Sequence, residues 1–363
     1  MIASQRMSDT NSMGRPPLRT LACVLAIGLT LLLPGRADAT ASEPSAKRRG
    51  DARATYAERD DVRAFIAEMT TQYGFEGRDL ERWLASARFQ PKIVELMSRP
   101  IVEPPKWYEY APPFLAKARV EAGVAFWNAH AAALARAESE TGVPAEIIVA
   151  IIGVETYYGR NTGSHRVIDA LATLAFDYPR RAAFFRGELR EFLLLAREQN
   201  FSPVAVKGSF AGAMGLPQFM PGSYRRYAVD FDGVGGADLF ASTGDAIGSV
   251  ANYLARHDWQ RGQPVLVPAR LAPEQHATIL RRLDGGLSER RVASLWAEDG
   301  VTPVAWPGVI GPEPLGLLLL EESPSDESYW IACHNFYVIT RYNRSRLYAT
   351  AVWQLAQALR AAR

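Results

Sequence analysis

Cysteine is almost absent: Cys23 and Cys333 are the only two in 363 residues. An excess of one charge is missing as well. The 41 basic and 39 acidic side chains nearly cancel, and no basic stripe points to nucleic acid. The longest uncharged apolar run, Leu21 to Leu33, is too short for a comfortable membrane span. No glycine-rich loop ends in GK[ST] before a helix, which removes the usual phosphate cradle. Repeats and low-complexity tracts are also lacking.

What is present begins with an export signal. Arg6, Arg15 and Arg19 form a basic head, "LACVLAIGLTLLL" an apolar middle, and "ADA" (Ala37 to Ala39) an A-x-A cleavage site. Residues 1–39 therefore read as a signal peptide cut after Ala39. An uncleaved N-terminal anchor is the competing reading. A lipid anchor fits less well, because Cys23 lies at the start of the apolar run rather than after it. Cleavage removes four arginines and two aspartates, leaving 37 charges of each sign. Cys333 then stands alone and cannot form an intramolecular disulfide. In "YWIACHNFYVI" it reads as a small buried apolar residue, despite the adjacent His334.

The remaining 48% hydrophobic composition suits a sizeable core. Residues 40–57 are polar and small, and are expected to be a disordered leader. Residues 58–141 read as a helical domain. Val62, Phe65, Ile66 and Met69 recur at helical spacing before Gly74, two shorter helices follow, "VEPPKWYEYAPPF" is a connector, and one long helix is expected from Lys117 to Thr141. Residues 142–261 alternate helices with glycine-rich loops. In residues 262–329 the style changes: "GQPVLVPARL", "TPVAWPGVI" and "LGLLLLEES" are short apolar runs between Gly and Pro, and read as strands of a small β-rich insertion. "SYWIACHNFYVI" reads as a strand too. Residues 330–363 close the core, with Tyr348, Val352, Leu355 and Leu359 marking a packed helix.

The chemistry concentrates in three stretches. In "PAEIIVAIIGVETYYGR", Pro144 suits a helix start and Gly159 a stop, and Ile148, Ile152 and Glu155 share a face. An acid carried on an apolar stripe is pushed toward protonation near neutral pH, the state a general acid needs. The alternative is a helix-end glutamate fraying into solvent. "KGSFAGAMGLPQFMPGSYRRYAVD" (Lys207 to Asp230) combines four glycines with Ser209, Gln218 and Ser223, and with the flat faces of Phe210, Phe219, Tyr224 and Tyr227. Neutral hydrogen-bonding groups beside aromatics suit a sugar. A glycine-rich turn with ordinary core aromatics explains the composition equally. "NFYVITRYNRSRLY" (Asn335 to Tyr348) divides the same way, between a binding role and a strand running into a core helix.

Four segments, "GVETYYGRNTG", "GSFAGAMGLPQFMPGSYRRYAVDFDG", "DAIGSVANYLARHDW" and "NFYVITRYNRSRLYATAVWQLAQAL", resemble in order and spacing the lytic murein transglycosylase B family, glycoside hydrolase family 103. The resemblance runs from about Val62 to Leu359. It implies an α+β, mostly helical fold: a lysozyme-like core with an added helical domain and a small β-rich domain. It also implies that Glu155 is the single catalytic acid/base, with Ser209 and Gln218 in the cleft beside it. Tyr253, Tyr342, Asn343 and Tyr348 match positions that contact sugar or support the glutamate. Tyr110 and Arg181 are looser matches, Arg181 toward the peptide stems of the wall.

The reaction implied is cleavage of the β-1,4 bond between N-acetylmuramic acid and N-acetylglucosamine in peptidoglycan glycan strands, in the periplasm. The C6 hydroxyl of the same muramyl sugar closes a 1,6-anhydro ring and no water is consumed. A hydrolytic muramidase of this fold stays open, with Asp169, Asp177 or Glu188 as a second carboxylate, and so does a non-catalytic wall-binding protein. No cofactor is required. "DFDGVGGADLFASTGD" resembles the family's calcium loop, with Asp230, Asp232 and Asp245 as carboxylate ligands and Gly236 and Asp238 between them. Val234 takes the fifth position, where an oxygen is expected, and the spacing to Asp245 is one residue long, so calcium is expected to bind weakly.

Overall fold

The computed structural model describes residues 55–99, 104–283, 289–306 and 311–363. Residues 1–39 and 40–54 lie outside these, so the expected signal peptide and most of the expected leader are not described. The leader does stop earlier than its expected end at residue 57. Tyr56 is buried, and its hydroxyl donates to Asp177 at 2.6 Å.

Helices dominate. Asp60–Tyr73 buries Val62, Phe65, Ile66 and Met69 and ends on Gly74 in the left-handed region, as its spacing predicts. Gly77–Ala85 and Pro91–Ser98 follow. The single long helix expected from Lys117 to Thr141 is two, Lys117–Ala129 and Ala131–Thr141. His130 (φ −120°, ψ 26°) interrupts them, and its N–H closes the first helix on Phe126 and Trp127. The break lets the first helix pack on the C-terminal helix Arg346–Ala362 and the second on Thr243–Arg256. Helical propensity runs straight through this stretch, so tertiary packing decides.

The helix Ala145–Thr156 sits at the centre. It touches all four of those helices and is buried all round rather than along one stripe. Pro144 caps it from outside instead of occupying its first turn. It stops at Tyr157, two residues before the expected Gly159.

Strands are few. β1 (His165–Arg166) and β2 (Lys207–Gly208) form a two-stranded antiparallel pair beside the core. β3 (Leu266–Leu271), β4 (Val301–Pro303), β5 (Gly316–Ser323) and β6 (Asp326–Ala332) form an antiparallel sheet in the order β4-β3-β6-β5. β6 runs past residue 329, where the insertion is expected to end. The sheet packs a small core of its own around Trp296, Val301 and Ile331. "SYWIACHNFYVI" is only half strand. Cys333 breaks it, and His334–Tyr342 is a helix. Aromatic and β-branched residues favour strands by how they pack, and here they pack as a helix against the core. Buried Asn335 pins that helix to the chain before β3: it accepts from Gln260 N–H and donates to the carbonyls of Gln260 and Gln263. Cys333 is buried, which pushes its thiol up to about 12 and leaves it inert.

Candidate active site

Glu155 is the penultimate residue of the central helix and is only 8% exposed. Its neighbours on that helix are apolar, so the carboxylate has little solvation. Burial drives its pKa up to about 7, and one hydrogen bond, from Tyr348, works the other way. Its place in the last helical turn adds to the rise, because the carbonyl ends there disfavour negative charge. The solvent-frayed alternative is thereby overturned.

Tyr348 donates to Glu155 Oε1 at 2.6 Å. It stands in the first turn of the C-terminal helix, where Ser345 Oγ accepts its backbone N–H. Tyr342 stacks on it, with centroids 6.5 Å apart and planes 14° apart. Tyr342 donates in turn to Pro217 O at 2.6 Å. Tyr253 meets Tyr342 edge-on at 4.9 Å and donates to Arg341 O. Phe219 closes the block against both. Tyr348 thus holds the carboxylate, Tyr342 stands close enough to feel its charge, and Tyr253, from a distant segment, backs Tyr342. Each hydroxyl proton is committed, and burial raises the pKa of all three phenols, so none is a proton carrier near neutrality.

Gln218 stands next to Pro217, in a tight turn closed by Met214 and Phe219. Its backbone is left-handed (φ 52°), and its side-chain nitrogen donates to Thr162 O and Gly215 O. Its carbonyl oxygen is therefore the end left for a ligand. Ser209 Oγ accepts from Ala211 and Ala213 N–H, shaping its own loop. That loop abuts Gly163 (φ +97°), where a Cβ would lie 2.1 Å from the Gly208 backbone. Tyr110 lies near enough to Tyr348 to act on it electrostatically, and its ring is tilted 33° against Phe114 with centroids 5.1 Å apart. Asn343 caps the helix that carries Tyr342.

Arg181 lies over Phe184 and Phe185 and feels the charge of Glu188. Phe219 and Tyr224, read as flat faces for sugar, are core residues, and Tyr224 OH bridges Ala237 O and Leu239 N. The three candidate second carboxylates each have partners of their own. Asp169 takes Arg88 N–H and pairs with Arg166. Asp177 takes Tyr56 and Arg59. Glu188 takes Gly222 N–H. A surface hollow of about 560 Å³ opens at the far end of the central helix, between Trp127, Glu146 and Arg360, and shares no residue with the Glu155 group.

Two supports escaped the sequence reading. Thr156 Oγ1 donates to Leu216 O at 3.0 Å and accepts from Gly159 N–H, tying the end of the central helix to the Gln218 turn. Arg119 is a buried cation. It donates to Gly153 O, near the end of the same helix, and lies 4.4 Å from the Tyr157 ring centre. Its signal was available: Arg119, Gly123 and Trp127 share one buried face at i, i+4 and i+8.

Directly after Glu155 and Thr156 come Tyr157 (φ 52°), Tyr158 (φ 58°) and Gly159 (φ 88°), all left-handed. For tyrosines this costs energy that surrounding contacts must offset. Tyr158 is driven between helices, and a Cβ on Gly153 would sit 2.6 Å from its hydroxyl oxygen. That hydroxyl is buried without a hydrogen-bond partner. Tyr158→Phe should therefore stabilise the fold by about 1 kcal/mol, since it removes an unpaired polar group. A fall in unfolding free energy of that size in a urea titration would contradict the burial described.

At the acidic loop, Asp230, Asp232 and Asp245 each bring one oxygen to within 4.8 Å of the others. Asp230 accepts N–H groups from Gly233, Val234, Gly235 and Gly236, and these hold its carboxyl below the ordinary range. Buried Asp245 accepts from Phe231, Asp232 and Asp238. The donor set fits a calcium ion only in part, because backbone N–H groups already engage these oxygens.

Residues 57–357 match the transglycosylase SLT domain. The chain is 43% identical over 318 residues to membrane-bound lytic murein transglycosylase B of Escherichia coli K12, covering 85% of each chain. Among solved structures it resembles the soluble lytic transglycosylase SltB1 of Pseudomonas aeruginosa, with a TM-score of 0.78, 48% identity, and coverage of 83% of this chain and 99% of that one. It also resembles the Escherichia coli lytic transglycosylase Slt35 in complex with calcium, with a TM-score of 0.77, 44% identity, and coverage of 85% and 95%.

Proposed function

The chain belongs to the SLT-domain lytic murein transglycosylases, and from that premise we propose that Glu155 is its sole acid and base. The protein is a peptidoglycan-cleaving lytic transglycosylase. The observation that carries the residue assignment is a buried carboxylate with pKa near 7, held by one tyrosine and with no second carboxylate among the charges that act on it.

A glutamate poised near neutrality is protonated often enough to give a proton and ionised easily enough to take one back. Glu155 Oε1 faces Tyr348, which leaves Oε2 for substrate. It protonates the bridging oxygen of the β-1,4 bond. The muramyl 2-acetamido carbonyl supports the anomeric carbon in place of a protein nucleophile. The glutamate, now ionised and steadied by the Tyr348 hydroxyl, takes the proton of the muramyl C6 hydroxyl. That oxygen closes on the anomeric carbon, and the ring forms with no water consumed. An intramolecular nucleophile needs orientation rather than activation, and the tyrosine wall with the Gln218 turn supplies it. Asp169, Asp177 and Glu188 are each engaged elsewhere, so none of them serves as a base for hydrolysis.

Digestion of purified peptidoglycan should release fragments ending in 1,6-anhydro-N-acetylmuramic acid, one water lighter than hydrolysis products and inert to borohydride. Mass analysis decides it: reducible fragments carrying a full water would transfer the assignment to a muramidase mechanism.

Export to the periplasm with removal of residues 1–39 rests on the basic-apolar-small pattern of the N-terminus. Among the described residues no helix is long and apolar enough to cross a membrane. Calcium is not needed for any step above. Because Asp230 and Asp245 are already met by backbone N–H groups and Val234 contributes no oxygen side chain, calorimetry should show binding no tighter than micromolar. A sub-micromolar constant would refute this.

A further inference from the structure

A second cavity, of about 210 Å³, opens beside the edge strand β5. Leu280, Leu283, Leu317 and Leu319 give it apolar walls, and Glu321 and Arg346 also line it. Its volume is below the roughly 300–1,000 Å³ of pockets that take drug-sized ligands, so it admits only a small group.

Two opposite charges line this cavity without forming an ion pair with each other. Arg346 opens the C-terminal helix. One guanidinium nitrogen donates to Leu319 O at 2.8 Å, and among the described residues its other N–H groups find no acceptor. Glu321 Oε1 takes Lys106 Nζ at 3.2 Å, while Oε2 is buried without a hydrogen-bond partner. Burial works to raise the Glu321 carboxyl. Its own backbone N–H, Lys106 and Arg346 outweigh that and hold it below the ordinary range, so it is ionised. The Oε2 of half-buried Glu321 is thus a buried acceptor short of a hydrogen bond, which is costly to leave unpaired, and half-buried Arg346 stands nearby with donors to spare.

We propose that this cavity binds the zwitterionic head of an α-amino acid, with the carboxylate on Arg346, the ammonium on Glu321 Oε2, and a short alkyl chain against the leucines. A simple anion would leave Oε2 unpaired and repelled. A simple cation would do the same to the guanidinium. A group carrying both charges on neighbouring atoms satisfies each. Such a head occurs on free amino acids. It occurs also at the unlinked end of a diamino acid in a peptide stem, a source that rests on the peptidoglycan reading above.

The test titrates the mature chain, by calorimetry or NMR shifts, with D-alanine and with a muramyl tripeptide ending in a diamino acid. At least one should bind saturably. Acetylating its free amine should weaken binding about tenfold or more, and so should Glu321→Gln and Arg346→Gln, each checked for fold by circular dichroism. Arg346→Lys should retain part of the affinity. Saturation by the tripeptide alone assigns the stem as source, and by D-alanine alone the free amino acid. No saturable binding, or binding that acetylation and Glu321→Gln leave unchanged, overturns the proposal. Cleavage of stem-free glycan by Glu321→Gln at the wild-type rate keeps the two readings separate, since that reaction does not use this cavity.

Discussion

Glu155→Gln is expected to abolish glycan cleavage while leaving the fold intact. General acid or base help is worth about 10²–10⁴-fold in a single step. Here one residue serves both steps, so the loss should exceed about 10³-fold. Gln keeps the volume and can still accept from Tyr348, but it cannot give and recover a proton. The same substitution should change stability with a definite sign. The folded-state pKa of Glu155, about 7, lies above that of an unfolded chain, near about 4.3. The native state therefore holds the proton more tightly, and that advantage is complete below the unfolded value. It is lost as pH rises, and above pH 7 an ionised, buried Glu155 leaves the wild type short by roughly 3 kcal/mol. The Gln variant never ionises. It should match the wild type near pH 4 and be the more stable by that order at pH 8. Denaturant titrations at the two pH values would show it. A well-folded Gln variant that still cleaves, or one that loses ground at pH 8, removes Glu155 from the role assigned.

Tyr348→Phe is expected to cut kcat by about tenfold to a hundredfold, the worth of roughly 1.5–3 kcal/mol for a hydrogen bond to a charged group. The bond at 2.6 Å stabilises the ionised glutamate, so its loss raises the Glu155 pKa beyond about 7. The acid form then persists to higher pH, while the carboxylate formed after proton transfer is less well held. The basic limb of the pH–kcat profile should move upward, and substrate affinity should change little. A merely structural tyrosine would lower activity without moving that limb. A limb that stays in place or moves down would therefore count against the bond as described.

The central helix was legible as a helix, and Glu155 as its candidate acid, because an ionisable group placed directly after "EIIVAIIGV" stands out against the apolar run and matches a family motif. What the run could not show was burial on every side, because surroundings are set by helices drawn from the rest of the chain. The break at His130 was hidden for the same reason: nothing local opposes helix there, and two different partners pull the halves apart. The stretch after Cys333 was misread as strand because aromatic and β-branched residues serve a strand and a buried helix face alike. In the site, Tyr253, Tyr342 and Tyr348 were picked out by their resemblance to a family pattern, whereas their shared wall is a matter of distance. Arg119 was missed although its spacing with Gly123 and Trp127 was on view. An arginine is rarely found on a buried face, so its place in that row drew no attention.

The hydrogen bond between Glu155 and Tyr348 spans 193 positions of sequence. A chain made from its N-terminus presents the glutamate long before the tyrosine. Until the last helix, Arg346–Ala362, docks, the central helix lacks one of the four neighbours that bury it, and its carboxylate stays wet, with an ordinary acidity. The acid that gives the site its chemistry thus depends for its burial and its hydrogen bond on a helix far along the chain.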